Sequence, residues 1–106
     1  MKRWHEHDRG LDVELMLDGP GDDGLVIDII LSVHNDSRRM LVDFHGRDAC
    51  YGIGTAARWS YASTLRAYRR AQEGAIKKLE RMLRLIREQK PPTQAQIERL
   101  IKARSR

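Results

Sequence analysis

The spacing of the hydrophobic residues changes once along this chain, near Gly54, and that change restricts the fold more than any other feature. Before Gly54, every second residue is apolar in segments such as Leu11–Leu17. A period of two predicts half-buried strands. After Gly54, apolar residues recur every three or four positions, which predicts helices. The sequence therefore predicts an α+β fold in which an antiparallel sheet precedes the helices.

The first half of the chain predicts a three- to four-stranded antiparallel meander. The alternating segments are Leu11–Leu17, Leu25–Val33, Met40–Phe44 and a shorter Ala49–Ile53. Turn-forming residues separate them at Gly19–Gly24, Asn35–Ser37 and Gly46–Asp48. Short loops between successive strands favour pairing in chain order.

The second half predicts one or two long helices packed on one face of the sheet, followed by a short C-terminal helix. Thr55 is the expected N-cap, and the helical period continues to about Gln89, before Pro91. Gly74 leaves open a kink, a boundary between two helices or a close helix contact. A mostly apolar stripe on this segment is expected to lie on the sheet. Its members are Tyr61, Leu65, Tyr68, Gln72, Ala75, Ile76, Leu79, Leu83 and Ile86. Thr93-Gln94-Ala95-Gln96 predicts a capping box for the last helix.

Length and composition indicate one intracellular domain. The 106 residues suit a single domain, with a flexible N-terminus (1–10), a sheet (11–54) and a basic helical half (55–106). The single cysteine, Cys50, cannot form an internal disulfide. No apolar run is long enough for a signal peptide or a membrane span. We therefore expect a cytoplasmic protein that does not enter membranes.

The two halves carry opposite charge. Residues 1–57 contain six Lys and Arg against eleven Asp and Glu, a balance of −5. Residues 58–106 contain fourteen against four, a balance of +10. Such asymmetry bears on the choice of partner and not on the fold.

The basic half predicts a cationic binding face. At about 100° per residue, five cations fall within roughly 60° of one another on a helix. They are Arg66, Arg70, Lys77, Arg81 and Arg84, with Arg69 and Arg87 beside them and Trp59 pointing the same way if the helix includes it. Arginine forks suit phosphate oxygens, and an aromatic ring can stack on a base. A solvated helix face is the alternative, although such faces usually mix both signs.

The sheet predicts a second, acidic surface on the side away from the helices. Hairpin symmetry places Glu14 opposite Asp28, and Asp28 opposite His45, with Asp12 and Asp43 nearby. Two carboxylates and an imidazole suit a divalent metal or acid–base catalysis. Docking of a partner's arginines, including those of a second copy of the chain, is the favoured interpretation. We expect no catalytic residues, no resident metal and no cofactor.

The order of parts resembles small phage-encoded inhibitors of the anti-CRISPR type. The matching stretch is a short meander that ends in Cys50-Tyr51-Gly52-Ile53-Gly54-Thr55, followed by Ala56-Ala57 before an Ala- and Arg-rich helix. It covers about half of the chain, and no functional residue carries over from it. Several anti-CRISPR proteins are acidic DNA mimics, and the basic helical half departs from that pattern. The resemblance implies a non-catalytic protein that blocks a host nucleoprotein complex by occupying a surface.

Three functions follow from these features, in decreasing order of support. The first is an inhibitor that docks on a host protein or nucleoprotein complex. The second is a regulator that binds DNA or RNA through the cationic face. The third is a metal-dependent enzyme that uses Glu14, Asp28 and His45.

Overall fold

The computed structural model describes residues 2–17, 25–33 and 39–104, and these residues form one antiparallel sheet and two helices. Five strands pair in chain order, which confirms an antiparallel meander but with more strands than the three to four predicted. The strands are β1 (His5–His7), β2 (Gly10–Leu17), β3 (Leu25–Val33), β4 (Met40–His45) and β5 (Cys50–Ala56). The helices are α1 (Tyr61–Glu88) and α2 (Gln94–Arg104). The predicted loops at 19–24 and 35–37 lie outside the described residues.

The sheet is longer at both ends than the sequence predicted. The prediction of a flexible segment at 1–10 is wrong for β1, which folds back on β2 and places His5 opposite Asp12. A strand of three residues is too short to show a hydrophobic period, so the sequence pattern does not reveal it. At the other end β5 continues through Thr55, which is therefore a strand residue and not the helix N-cap. The N-cap of α1 is Ser60, whose side chain accepts a hydrogen bond from the Ser63 N–H at 3.1 Å.

The hydrophobic core lies between one face of the sheet and α1. The alternation in β2, β3 and β4 places Val13, Ile29 and Phe44 side by side on this face. Val42 is fully excluded from solvent. The complete set of buried apolar residues is Val13, Ile29, Leu31, Val42, Phe44, Ala56, Ala67, Ala71 and Ala75.

α1 lies over β5 and β4, and small residues set the distance of approach. Ala67, Ala71 and Ala75 recur every fourth residue and form the buried line of the helix. They face Gly52 and Gly54 of β5, where an added β-carbon would overlap the carbonyl oxygens of Ala71 and Ala67 respectively. The helix backbone therefore rests almost directly on the strand, a contact that only small side chains permit.

The apolar stripe that we expected on the sheet is rotated away from it by about a quarter of a turn. Tyr68 and Ala75 contact the core, but Ile76, Leu83 and Ile86 are exposed. The alanine line packs on β5 because its small side chains and the glycines of β5 let the two backbones approach closely and bury their surfaces. Bulkier side chains would hold the helix and the strand apart. The sheet-facing role predicted for the stripe is therefore wrong for most of its members.

α1 is one continuous helix of 28 residues, which answers the question of one helix or two. Gly74 lies inside it, next to Gly52 of β5. The first half of α1 covers the sheet. Every residue from Ile76 to Glu88 is exposed, so this stretch, called the projecting segment below, extends beyond the sheet.

An aromatic cluster joins the N-terminus to α1. The ring of Trp4 meets Tyr68 edge-on with ring centroids 6.2 Å apart, and Tyr68 lies 5.4 Å from Phe44. The three rings cover the sheet face next to the helix. Burial raises the pKa of the Tyr68 phenol above its usual value because the charged form would lose hydration.

The capping box predicted for the last helix is confirmed. The Gln96 N–H donates to Thr93 Oγ1 at 3.3 Å, and the Thr93 N–H donates to Gln96 Oε1 at 2.9 Å. Among the described elements, no helix or strand packs against α2. Neither described helix combines the length and the apolar content needed to cross a bilayer.

Candidate functional site

One flank of α1 carries the five predicted cations. Arg66, Arg70, Lys77, Arg81 and Arg84 are all exposed. Their positions in one regular helix place them within about 60° of one another, roughly a third of a turn from the buried alanine line. We call these five residues the cationic flank.

Among the described residues, one member of the cationic flank is paired with an acidic side chain. Lys77 Nζ lies 3.2 Å from Glu73 Oε1, and both side chains are exposed. Such a pair contributes about 0–1 kcal/mol and is easily exchanged for another partner. Arg70 donates to the carbonyl oxygen of Thr55 at 3.5 Å, which directs the flank toward the outer edge of β5. Arg66, Arg81 and Arg84 make no hydrogen bond or ion pair with described residues, so their charges face solvent.

The three other residues predicted for this surface lie apart from the cationic flank. Arg69 and Arg87 are exposed on the outer side of α1, about a quarter of a turn further round. Trp59 precedes the helix, which begins at Tyr61, so the condition under which it would extend the helical row is not met. Trp59 is 60% exposed and lies just before the first turn of α1.

The opposite flank of α1 is apolar and open to solvent. We call the exposed members of the predicted stripe in the projecting segment, Ile76, Leu79, Leu83 and Ile86, the apolar flank. Their exposed fractions range from 38% at Leu79 to 65% at Ile86, so all four side chains are open to solvent. The sequence contains all four residues of this flank in its apolar stripe, but their role as a free surface follows only from the rotation of the helix.

The apolar flank continues into a groove on the uncovered part of the sheet. Leu79 lines this groove together with Tyr51 and the ends of β2 and β3, and its volume is about 390 Å³. The strand residues that line it are Leu15, Met16, Leu17, Leu25, Val26 and Ile27. Since α1 packs on β4 and β5 only, the lining side chains on its face of the sheet have no described helix above them; they are Leu15, Leu17, Leu25 and Ile27. The lines of small residues at Gly52 and Gly54 and at Ala67, Ala71 and Ala75 are the sequence signal that would have predicted this open face.

The predicted acidic row exists on the other face of the sheet. Glu14 pairs with Asp28, and Asp28 pairs with His45, in the predicted register. Asp12 and Asp43 lie on the same face and flank Ile30. His7 Nε2 contacts Asp12 Oδ2, which ties β1 to this surface.

The metal-binding or catalytic set predicted on this row is not the one that the structure assembles. In the described part of the chain, the groups with ligand atoms within 4.8 Å of one another are Asp43, His45 and Cys50. Glu14 and Asp28 are not in this group, although Asp28 pairs with His45. The sequence indicates the position of His45, while Cys50 reaches it through the register shift at Phe44/His45.

Cys50 is half-buried and its thiol is held in the neutral form. Burial is the main cause that raises the pKa of Cys50 above its usual value, and the hydrogen bond and charge of Asp43 raise it further. The thiol donates to Asp43 Oδ1 at 3.1 Å. In this state Cys50 is a weak nucleophile, since the thiolate is the reactive form.

Comparison with known protein families, curated proteins and solved structures finds no match in any of the three. The function of this chain therefore has to follow from the geometry of its own surfaces.

Proposed function

We propose that this chain is a non-catalytic binding protein that docks on a nucleoprotein complex through α1. The observation that carries the proposal is the projecting segment, which is exposed along its length with the apolar flank on one side and cations on the other. An amphipathic helix of this kind is a common docking element, since its apolar side enters a groove and its charged side contacts the rim.

The two flanks have separate physical roles in this proposal. Each half-exposed Leu or Ile of the apolar flank would contribute about 1 kcal/mol on burial against a partner. The cations add long-range attraction and hydrogen bonds to phosphates. A nucleoprotein complex supplies both an apolar protein groove and phosphate groups. Blocking of such a complex, as the anti-CRISPR resemblance implies, requires only that the docked helix occupies a surface.

Affinity capture with matched variants tests this proposal. The tagged full chain is incubated with bacterial lysate, with and without nuclease, and bound proteins are compared by mass spectrometry. Leu83→Ser/Ile86→Ser removes the outer half of the apolar flank. The control Ile30→Ser/Ile53→Ser removes two exposed apolar residues from the opposite face of the sheet. We expect the wild type and the control to retain one defined complex, and the flank variant to lose it in both lysates. Equal capture by all three proteins would exclude docking through α1.

A nucleic-acid-binding regulator is the second candidate. The observation that favours it is that Arg66, Arg81 and Arg84 face solvent on one flank without partners in the described chain. Arg69 and Arg87 enlarge the cationic surface on its outer side. This candidate needs no apolar groove on the partner, so loss of the apolar flank would leave binding intact.

A further inference from the structure

The ligand-bearing cluster on the outer face of the sheet is built at the β4–β5 turn. Asp43 and His45 are two residues apart on β4, so their side chains leave the same face. Cys50 begins β5 and pairs with His45. The turn between them is closed by the Gly46 N–H, which donates to the Ala49 carbonyl oxygen at 2.8 Å. The ring of Tyr51 fills the space beside Gly46, so a side chain at Gly46 would collide with it. The three ligand groups therefore lie at a turn whose conformation is held by this hydrogen bond and by the Tyr51 ring.

The distances within the cluster suit tetrahedral coordination. His45 Nδ1 lies 3.6 Å from Asp43 Oδ2, and Cys50 Sγ lies 3.1 Å from Asp43 Oδ1. All three ligand atoms lie within 4.8 Å of one another. Tetrahedral bonds of about 2.0–2.3 Å place neighbouring ligand atoms roughly 3.3–3.8 Å apart. Small side-chain rotations would thus bring the three atoms onto one ion.

One shielded atom of the cluster makes no hydrogen bond with described residues, and its near polar neighbour is the Asp43 carboxylate, 3.6 Å away. His45 Nδ1 is shielded from solvent and has no hydrogen bond in the described chain. Buried polar atoms are nearly always hydrogen-bonded, so a shielded ring nitrogen that faces a thiol and a carboxylate without a hydrogen bond is suited to accept a cation. A bound cation satisfies a neutral imidazole nitrogen and displaces the Cys50 thiol proton to solvent, and the resulting thiolate and the carboxylate balance a charge of two.

We propose that Asp43, His45 and Cys50 bind one divalent ion of the zinc class, with a solvent molecule in the fourth position. Sulfur and nitrogen ligands select zinc-like ions, whereas magnesium and calcium prefer oxygen ligands alone. The three residues are half-buried, so the fourth position opens to water.

The ion would also connect the turn to α1. Lys78 Nζ donates to the Cys50 carbonyl oxygen at 3.1 Å, next to the proposed ligand. Lys78 lies in the projecting segment, so fixing Cys50 steadies the base of that segment. Because the ion binds the folded chain, it raises the apparent stability with ion concentration. This inference does not depend on the proposed docking function.

Cobalt binding tests the site directly. The reduced, chelator-treated full chain is titrated with Co²⁺ and followed by absorption. Since Cys50 is the only cysteine, a thiolate-to-cobalt charge-transfer band in the near ultraviolet reports this residue alone. We expect that band at one equivalent, together with visible bands typical of tetrahedral cobalt, and displacement of cobalt by Zn²⁺. Absence of the charge-transfer band would overturn the proposal.

Variants separate this site from adventitious binding. Cys50→Ser is expected to abolish the band, and His45→Ala and Asp43→Asn to weaken Zn²⁺ affinity by at least ~10-fold, a size usual for disturbed metal sites. The control is His5→Ala/His7→Ala, which removes the exposed stacked histidines of β1. It is expected to bind as the wild type does. Loss of binding in the control, or a stoichiometry of one ion per two chains, would place the ion elsewhere. Circular dichroism of each metal-free variant confirms that it is folded.

Discussion

Gly52 and Gly54 determine how closely α1 approaches the sheet. A β-carbon at either position would overlap a backbone carbonyl oxygen of the helix, and a backbone atom cannot rotate aside as a side chain can. We expect Gly52→Ala and Gly54→Ala each to lower the free energy of unfolding by about 1–3 kcal/mol, the usual effect of overpacking. Urea denaturation followed by circular dichroism measures the change.

Gly74 is the matched control for this prediction. It faces the same contact from the helix side, but an added β-carbon there would meet its nearest neighbour, Gly52 Cα, at an ordinary 3.8 Å. Alanine in a helix interior is favoured over glycine by roughly 0.5–1 kcal/mol. Gly74→Ala should therefore stabilise the protein, and destabilisation of similar size at all three glycines would contradict the close-approach model.

Trp4 and Trp59 provide a second comparison between single residues. Trp4 packs on Tyr68 and the core, whereas Trp59 is 60% exposed. We expect Trp4→Ala to reduce the free energy of unfolding by about 2–4 kcal/mol, somewhat below a fully buried aromatic. Trp59→Ala should change it by less than about 0.5 kcal/mol, as exposed substitutions do. Chemical denaturation of both variants checks this, and equal effects would show that the N-terminus does not cover the core.

The elements of this fold differ in how far the sequence determines them. Alternation fixes the face and the register of β2, β3 and β4, so the pairing of Glu14, Asp28 and His45 was predictable. The side of α1 that faces the sheet was not predictable in the same way. The apolar stripe has larger side chains than the alanine line, but the glycines of β5 favour the small side chains of the alanine line. β1 was not predicted, because its pairing depends on the free edge of β2 and not on a hydrophobic pattern in its own three residues.

The two helices should respond differently to loss of their N-caps. α1 is anchored on the sheet, so Ser60→Ala removes about 1 kcal/mol from global stability. α2 packs against no other described element, so Thr93→Ala should lower helix content without moving the main unfolding transition. Thermal scans by circular dichroism compare the starting signal and the midpoint of each variant. A shifted midpoint for Thr93→Ala would show that α2 is coupled to the core.

On the scale of the whole molecule, the binding surfaces are separated from the core. The described chain is elongated, with extents of 63 × 29 × 26 Å, and α1 extends past the sheet. Substitutions in the projecting segment therefore alter surfaces that contribute little to stability. The acidic sheet half and the basic helical half also remain spatially distinct. A negatively charged partner is therefore repelled by the sheet and attracted by the helices.

The location of charge, and not its total amount, should control binding to nucleic acid. If the cationic flank binds phosphates, Arg66→Ala/Arg81→Ala/Arg84→Ala reduces the slope of log affinity against log salt by about 0.9 for each duplex phosphate that is no longer neutralised. Arg3→Ala/Arg9→Ala/Arg47→Ala removes the same charge from exposed positions off the helix and should leave the slope unchanged. Fluorescence anisotropy with random duplexes and single strands, at several salt concentrations, measures both variants.

The outcomes of this titration separate the two candidate functions. Equal slopes for both variants would mean that net charge alone attracts the nucleic acid. No binding at low salt would exclude the regulator and leave docking on protein through the apolar flank. A steep slope that only the flank variant reduces would mean that phosphates are bound along one side of α1, since only ordered contacts depend on where a charge is placed.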